Sequence, residues 1–290
     1  MNAILSPRGR LILSMVIFGT IGLVRRLIPF PSSVVALVRA VIGLLALLAL
    51  RTATKRPLNR ALLKKHFRKL LLLGAMLGFN WILLFEAYNY TSVAAATMCY
   101  YMAPVLIILL SAVLFGEKIT RRRGLCAVVA VFGMLLVSDV LNQGLHGARG
   151  LVCGLLAAAL YAGVVLVNRT LPEIDAEERT LYQFAAAALV MLPYVLVREE
   201  LSALVFTPQV VCLLLVAGVV HTGLAYVLYF GAVTEVSAQT AALLSYIDPI
   251  VAVLISLFLL REPMSPPALT GVVLVLGAMI ASEKSEAASA

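Results

Sequence analysis

The sequence predicts an all-α membrane protein of ten transmembrane helices, arranged as two five-helix repeats of inverted topology. Three observations carry that expectation. Of 290 residues, 62% are hydrophobic and 13% charged, against roughly 45–50% and 25% in soluble domains, so hydrocarbon rather than water is the main solvent. Apolar runs separated by charge or turn residues recur along the whole chain. Finally, SVAAATMCYYMAPVLIILLSAVLFGE over 92–117 and SAQTAALLSYIDPIVAVLISLFLLRE over 237–262 align without a gap at an offset of 145 residues. Leucine and alanine matches mean little in so apolar a chain. Gly78/Gly223, Ser92/Ser237, Tyr101/Tyr246, Pro104/Pro249, Ser111/Ser256 and Glu117/Glu262 instead point to an internal duplication.

The apolar runs lie at about 11–29, 33–50, 70–89, 92–115, 124–141, 149–168, 179–197, 209–230, 237–260 and 266–282. Each is close to the ~20 residues a helix needs to cross ~30 Å of hydrocarbon. The first has a basic flank like a signal peptide, but no small-residue cleavage site follows it. Its echo, Arg8-Gly9 and Gly22 against Arg149-Gly150 and Gly163, predicts that it stays as a helix. Five spans per copy is an odd number, so the second copy enters the membrane from the opposite side, dividing the chain into repeats 1–145 and 146–290. With the amino terminus inside, seventeen Lys and Arg residues fall on the inner side and five on the outer, with Arg39 inside the second span. The positive-inside rule then puts both termini in the cytoplasm. The net charge of +9 is thus an orientation signal, and no nucleic-acid partner is expected.

Residues 51–69, with Leu62, Leu63 and Phe67 among Lys64, Lys65, Arg68 and Lys69, read either as an interfacial start to the third span on anionic headgroups or as a solvated loop. Gly74-x-x-x-Gly78 and Gly150-x-x-x-Gly154 place glycines one turn apart, where helices approach closely in lipid. The four cysteines stand singly in apolar runs and predict neither disulfides nor a metal site. Pro104 and Pro249 sit near the middle of spans four and nine, where each removes a hydrogen bond and frees a carbonyl, that of Tyr100 or Ser245. Such backbone at membrane depth needs protein or a cavity beside it. The repeated prolines are therefore read as kinks facing one central chamber, with simple packing bends as the alternative.

Four ionisable residues fall inside the spans: Arg39, Glu86, His221 and Asp248. Each costs about 2.5–3.5 kcal/mol at the bilayer centre unless it faces protein or water. Asp248 is the leading substrate-binding candidate, because its counterpart in the first copy is the neutral Ala103. Glu86 is the second carboxylate; it is also the expected partner of Arg39, in a pair that is either structural or a gate. His221 reads as a satisfied core histidine or as a proton carrier. Trp81, Tyr88, Tyr100, Tyr101, Tyr226, Tyr229 and Tyr246 surround these positions, and a carboxylate among aromatic faces suits a small organic cation. An interfacial aromatic belt accounts for some of them equally well, Tyr88 and Tyr90 in particular. Glu117 and Glu262 end their spans on opposite sides as gate or helix-end residues.

Phe18-Gly19, Arg39, the run Glu86-Ala87-Tyr88-x-Tyr90-Thr91-Ser92, Pro104 with Glu117, and Pro249 with Glu262 occur in an order and spacing that resembles the ten-helix drug/metabolite transporter superfamily, specifically its EamA-type members. The resemblance covers essentially the whole chain. It implies a secondary transporter in the cytoplasmic membrane of a prokaryote, most often an exporter of amino acids, other small metabolites or drugs, and it does not name the cargo. The residues themselves suit a solute with an amino or quaternary ammonium group. Without a nucleotide-binding motif the driver would be a gradient, with protons acting through Glu86, Asp248 or His221. An uptake carrier for a quaternary ammonium or other organic cation is the alternative. There is no Gly-x-Ser-x-Gly elbow or His-Glu-x-x-His helix for an intramembrane enzyme, and no filter-like loop for a channel. The expected partners are the solute, protons and membrane lipids, with no cofactor, in a monomer or homodimer.

The orientation is open to direct measurement. A single cysteine at Asn142 should react with a membrane-impermeant maleimide added outside intact cells, and one at Asn59 should not. Strong labelling at Asn59 with none at Asn142 would reverse the topology.

Overall fold

The computed structural model describes residues 5–116, 119–138, 140–233, 235–236 and 238–287. In chain order its helices are α1 (Pro7–Gly19), α2 (Ile21–Leu27), α3 (Ser32–Ala53), α4 (Arg60–Tyr90), α5 (Val93–Tyr100), α6 (Ala103–Phe115), α7 (Arg121–Ser138), α8 (Val140–Asn168), α9 (Ala176–Arg198), α10 (Pro208–Leu215), α11 (Ala225–Val233), α12 (Ala238–Ser245), α13 (Ile247–Leu254) and α14 (Pro266–Ala287). Val216–Leu224 and Ile255–Leu259 are wound more loosely, as π-helix. No strand occurs among the described residues.

Short polar side chains set the helix starts. Ser6, Asn59, Ser92, Asp175 and Thr207 cap α1, α4, α5, α9 and α10, each accepting from a backbone N–H of the first turn that has no partner inside its helix. Six helical stretches are long and apolar enough to cross a membrane: Ser32–Ala53, Arg60–Tyr90, Val93–Phe115, Ala148–Asn168, Ala176–Arg198 and Pro208–Val233. The apolar run at 11–29 is divided at Thr20, and the run at 237–260 at Tyr246. Hydropathy counts apolar residues and is blind to these interruptions, which come from local backbone chemistry. The chain is an all-α membrane protein. Glu117 and Ser237, which bound the repeated stretches, lie outside the described residues.

Helices from the two halves of the chain interleave. α4 packs on α8 and α9, α3 on α9 and the 216–224 turns, α1 on α11 and α13, and α5 on α8 and α13, while α7 pairs with α14. One buried cluster centres on Leu73, Trp81, Phe85, Phe184 and Met191. A second centres on Met98, Met102, Met134 and Val275. Outward, Val113, Leu125, Val128, Val197, Phe258 and Val273 are exposed, an apolar coat suited to lipid.

Both glycine pairs are contact points. A Cβ at Gly74 would stand 2.6 Å from the Ala187 nitrogen of α9, and one at Gly154 would stand 2.7 Å from the Cys99 Cβ of α5. Dispersion grows as backbones close on one another, which is what holds helices together where lipid removes the hydrophobic drive.

At the end of the bundle carrying the basic segment, α4 begins at Arg60 with Leu62 and Leu63 half-buried and Phe67 exposed. Protein contacts, in addition to any lipid, hold this segment. Arg51 is buried 3.6 Å from Glu177 and 3.7 Å from Glu178, and Arg56 lies 3.0 Å from Glu177. Lys65 Nζ donates to Glu173 at 2.8 Å, a hydrogen bond that holds this exposed carboxyl below the usual carboxylate range.

The close approach at Gly74 has a measurable consequence. Gly74→Ala forces α4 off α9, an overpacking of about 1–3 kcal/mol, and should lower the thermal unfolding midpoint in detergent. Gly277→Ala, where a Cβ meets nothing within 4 Å, should not. Equal midpoints for the two variants would show that the α4–α9 contact tolerates a methyl group.

Candidate functional site

The two copies of the repeated stretch break at corresponding places. α5 ends at Tyr100 and α6 starts at Ala103 with Pro104 in its first turn; α12 ends at Ser245 and α13 starts at Ile247 with Asp248 and Pro249 in its first turn. Proline is accommodated there because a first-turn N–H has no intrahelical partner to lose. The prolines therefore begin new helices, a fuller interruption than the kinks expected from spacing. The Ser245 carbonyl, freed by Pro249, receives the Tyr101 hydroxyl of the other copy at 3.5 Å. The same hydroxyl lies beside the Asp248 carboxylate. Asp248 also occupies the positive end of the α13 dipole, which favours a negative charge.

Both breaks open on one cavity of about 400 Å³, within the range of small-molecule sites. Much of its wall comes in pairs related by the same offset of 145: Trp81 and Tyr226, Leu84 and Tyr229, Tyr100 and Ser245, Tyr101 and Tyr246, Ala103 and Asp248. The last pair is where a charge breaks the correspondence. α1 closes against α13 beside it at Gly19, where a Cβ would stand 2.7 Å from the Val251 Cβ.

Arg39 is the other charge on this wall. Its Nε donates to Thr222 Oγ1 at 2.8 Å, and its guanidinium carbon lies 4.4 Å from the Trp81 ring centroid. Thr222 belongs to the π-helical turns and donates in turn to the Ala217 carbonyl five residues back at 3.1 Å. No carboxylate comes within 4 Å of Arg39 among the described residues. The expected Arg39–Glu86 pair does not form, because residues adjacent in a helix face different directions. Arg39 stacks on Trp81 and Phe85. Glu86, the next residue, turns instead to Ser32 and Asn89, which donate to its Oε2 at 2.7 and 3.1 Å. Glu86 thus belongs to a separate cavity. Arg39 and Asp248 face the central one, near enough to feel each other's charge and without an ion pair between them.

The other sequence candidates divide. Trp81, Tyr100, Tyr101, Tyr226, Tyr246 and Pro104 line the cavity, while Pro249 is buried behind it. Of the two readings of Tyr88, a place on the site or in an interfacial belt, the structure takes the first: it is buried on the cavity wall with its hydroxyl 3.4 Å from Thr97 Oγ1, where α5 packs against α4. His221 is off the cavity. Its Nε2 stands 2.7 Å from Thr20 Oγ1 at the α1–α2 break and its Nδ1 3.2 Å from the Val216 carbonyl. Glu262 lies at the end of the bundle remote from the basic segment, 2.6 Å from Arg26 Nη2, and accepts from the Val93 N–H at 2.9 Å and from Ser256 Oγ. It therefore straps α2, α5 and the segment after α13 together. Sequence reasoning missed Tyr161 of α8, 5.4 Å ring to ring from Tyr100. A lone tyrosine in an apolar span was its sole signal.

A family model described as the EamA-like transporter family matches residues 10–139 and again residues 148–282. The uncharacterized transporter YxxF of Bacillus subtilis is 27% identical over 252 residues, spanning 85% of this chain and 79% of YxxF. The protein PecM of Dickeya dadantii is 27% identical over 221 residues, 73% of this chain and 72% of PecM. The pseudopaline exporter CntI of Pseudomonas aeruginosa is 29% identical over 164 residues, 56% of each chain. One solved crystal structure superposes with a TM-score of 0.69 at 16% identity over 96% of this chain and 97% of its own, a likeness of fold alone.

Trp81 is the single tryptophan, so its fluorescence reads the cavity directly. Arg39→Met should shift its emission and lower stability by about 1–3 kcal/mol, from the lost cation–π contact and the lost donor to Thr222. Phe132→Leu, on the exposed face of α7, should leave the spectrum unchanged. Identical spectra for Arg39→Met and the parent would exclude the contact.

Proposed function

The chain belongs to the EamA-like transporter family, and from that membership we propose that it is a secondary transporter that exports a small amino-acid-like metabolite across the cytoplasmic membrane. The family is described as one of transporters, YxxF is named a transporter and CntI a pseudopaline exporter. The observation that carries the cargo class is the unpaired placement of Asp248 and Arg39 on one wall. A buried carboxylate and a buried guanidinium that served only each other would meet. Here Thr222 and Trp81 hold Arg39 in place instead. The solute's ammonium would meet Asp248 with the faces of Tyr101 and Tyr246, and its carboxylate would meet the guanidinium of Arg39.

The finer architecture belongs to the same reading. Repeats 1–145 and 146–290, of five spans each and opposite orientation, would move against one another about the two breaks, as alternating access requires. The paired cavity wall and the separate family match to each half support it. At the remote end α5 packs on α13, and Glu262 ties α2 and the start of α5 to the segment after α13. With both termini cytoplasmic, this is a state closed to the outside. Outward direction is supported by CntI, itself named an exporter. A proton is the simplest counter-ion, since an empty site leaves Asp248 without a cation and a proton competes there with the ammonium.

That competition makes binding weaken as the pH falls through the range where Asp248 takes up a proton. A calorimetric titration over a panel of amino acids, amines and quaternary ammonium compounds, repeated at several pH values, measures this. Asp248→Asn should weaken binding of the best solute at least tenfold, about 1.4 kcal/mol, and remove the pH response. Equal affinity and an equal pH response in Asp248→Asn would dismiss Asp248 as the binding carboxylate. Tightest binding by a quaternary ammonium compound without a carboxylate would favour an organic-cation carrier.

A further inference from the structure

A second cavity, of about 730 Å³, lies at the end remote from the basic segment and shares no wall residue with the central one. Its wall is built from the end of α2, the link into α3, the last turns of α4 and the end of α9. Of the four charged residues on it, Arg26 is paired with Glu262 at 2.6 Å, and the other three are held in place without a direct ion pair. Among the described residues Glu86 accepts only from Ser32 and Asn89, and Glu199 accepts from Ser33 Oγ at 2.5 Å. Neither carboxylate has a Lys or Arg nitrogen within 4 Å among the described residues. Arg25, 4% exposed, donates through Nη1 to the Ile28 carbonyl at 3.0 Å and through Nη2 to Ser32 Oγ at 3.0 Å and Asn89 Oδ1 at 3.3 Å. Its Nε, itself buried, has no acceptor among the described residues.

Ser32 and Asn89 each stand between the two signs, accepting from Arg25 and donating to Glu86. A tie that merely fastened helix ends would bring guanidinium and carboxylate into direct contact, which is the stronger bond. Here neutral groups keep them apart, leaving Arg25 short of an acceptor and both carboxylates short of a cation. That pattern complements a molecule carrying both charges. A free anion would meet two carboxylates, and a divalent metal would find no group of three acidic, His or Cys ligands among the described residues. Phe30, Ile82, Leu83 and Tyr194 leave apolar room beside the charges.

We propose that this cavity is a second binding site for a small zwitterion, an amino-acid-like solute whose carboxylate meets Arg25 and whose ammonium meets Glu86 and Glu199. The class of solute rests on the reading of the central cavity; the site stands on its own residues.

Saturation-transfer NMR on the purified full-length protein, with norleucine as the probe and hexanoate and pentylamine as its single-charge controls, tests this. In Asp248→Asn, which disables the central site, norleucine should still bind, and both controls should bind at least tenfold more weakly. Adding Glu199→Gln, at the half-exposed end of α9, should abolish that residual signal, with Glu86→Gln as an independent second variant. Thermal unfolding shows that each variant is folded. Absence of norleucine binding in folded Asp248→Asn overturns the second site, as does residual binding untouched by both glutamine substitutions. Trp81 fluorescence separates the two proposals: it follows the central cavity, so a norleucine response there in Glu199→Gln equal to the parent's places the lost signal in the second cavity.

Discussion

In hydrocarbon a helix can stop only where something replaces the hydrogen bonds that water would otherwise make. Most of the interior arrangement depends on that constraint at two places, Tyr101–Met102 and Tyr246. Prolines in the first turns of α6 and α13 remove donors that would have had no helical partner. The Ser245 carbonyl, at the end of α12, is met by a tyrosine from the other copy of the same sequence. The first break thus helps to satisfy the second, and the space between them is the central cavity. A helix start at this depth also supplies a positive dipole end, and Asp248 sits in it.

The second constraint is the cost of holding charge in that interior. Arg39 is supported by a ring face and by a threonine whose own position depends on the wider winding of residues 216–224. In a regular α-helix each carbonyl is taken by the N–H four residues on; the looser turn lets the Thr222 and His221 side chains reach carbonyls five residues back. One irregular segment therefore positions the Arg39 guanidinium and ties His221 to the break at Thr20. The ends of the bundle treat charge differently. Near the basic segment Arg51 and Arg56 cluster with Glu177 and Glu178. At the opposite end Arg25 and Glu86 are spaced by neutral groups.

Several features were legible in one dimension. Composition and recurring apolar runs marked a helical membrane protein, because solvent preference depends on residue type and segment length. Self-alignment marked Tyr101, Pro104, Tyr246 and Pro249 as equivalent, and the structure interrupts both stretches there. Asp248 stood out against Ala103 for the same reason, and its place on the cavity wall follows from the break beside it.

Other features turned on rotation. Each residue along a helix turns the side chain by about 100°, so Phe85 and Glu86 face different neighbours although a count along the span places them together. Tyr88 is near the end of its helix by number and inside the protein by direction; Tyr161 lines the cavity because α8 lies against α4 and α5. By itself the sequence determined the solvent, the helical class, the internal repetition and the two prolines beside which the repeated stretches are interrupted, since all of these follow from residue type and order along the chain. Only the tertiary structure decided that Arg39 and Asp248 share a cavity without pairing, while Glu86 belongs to another, because facing is a property of packed helices and their rotations.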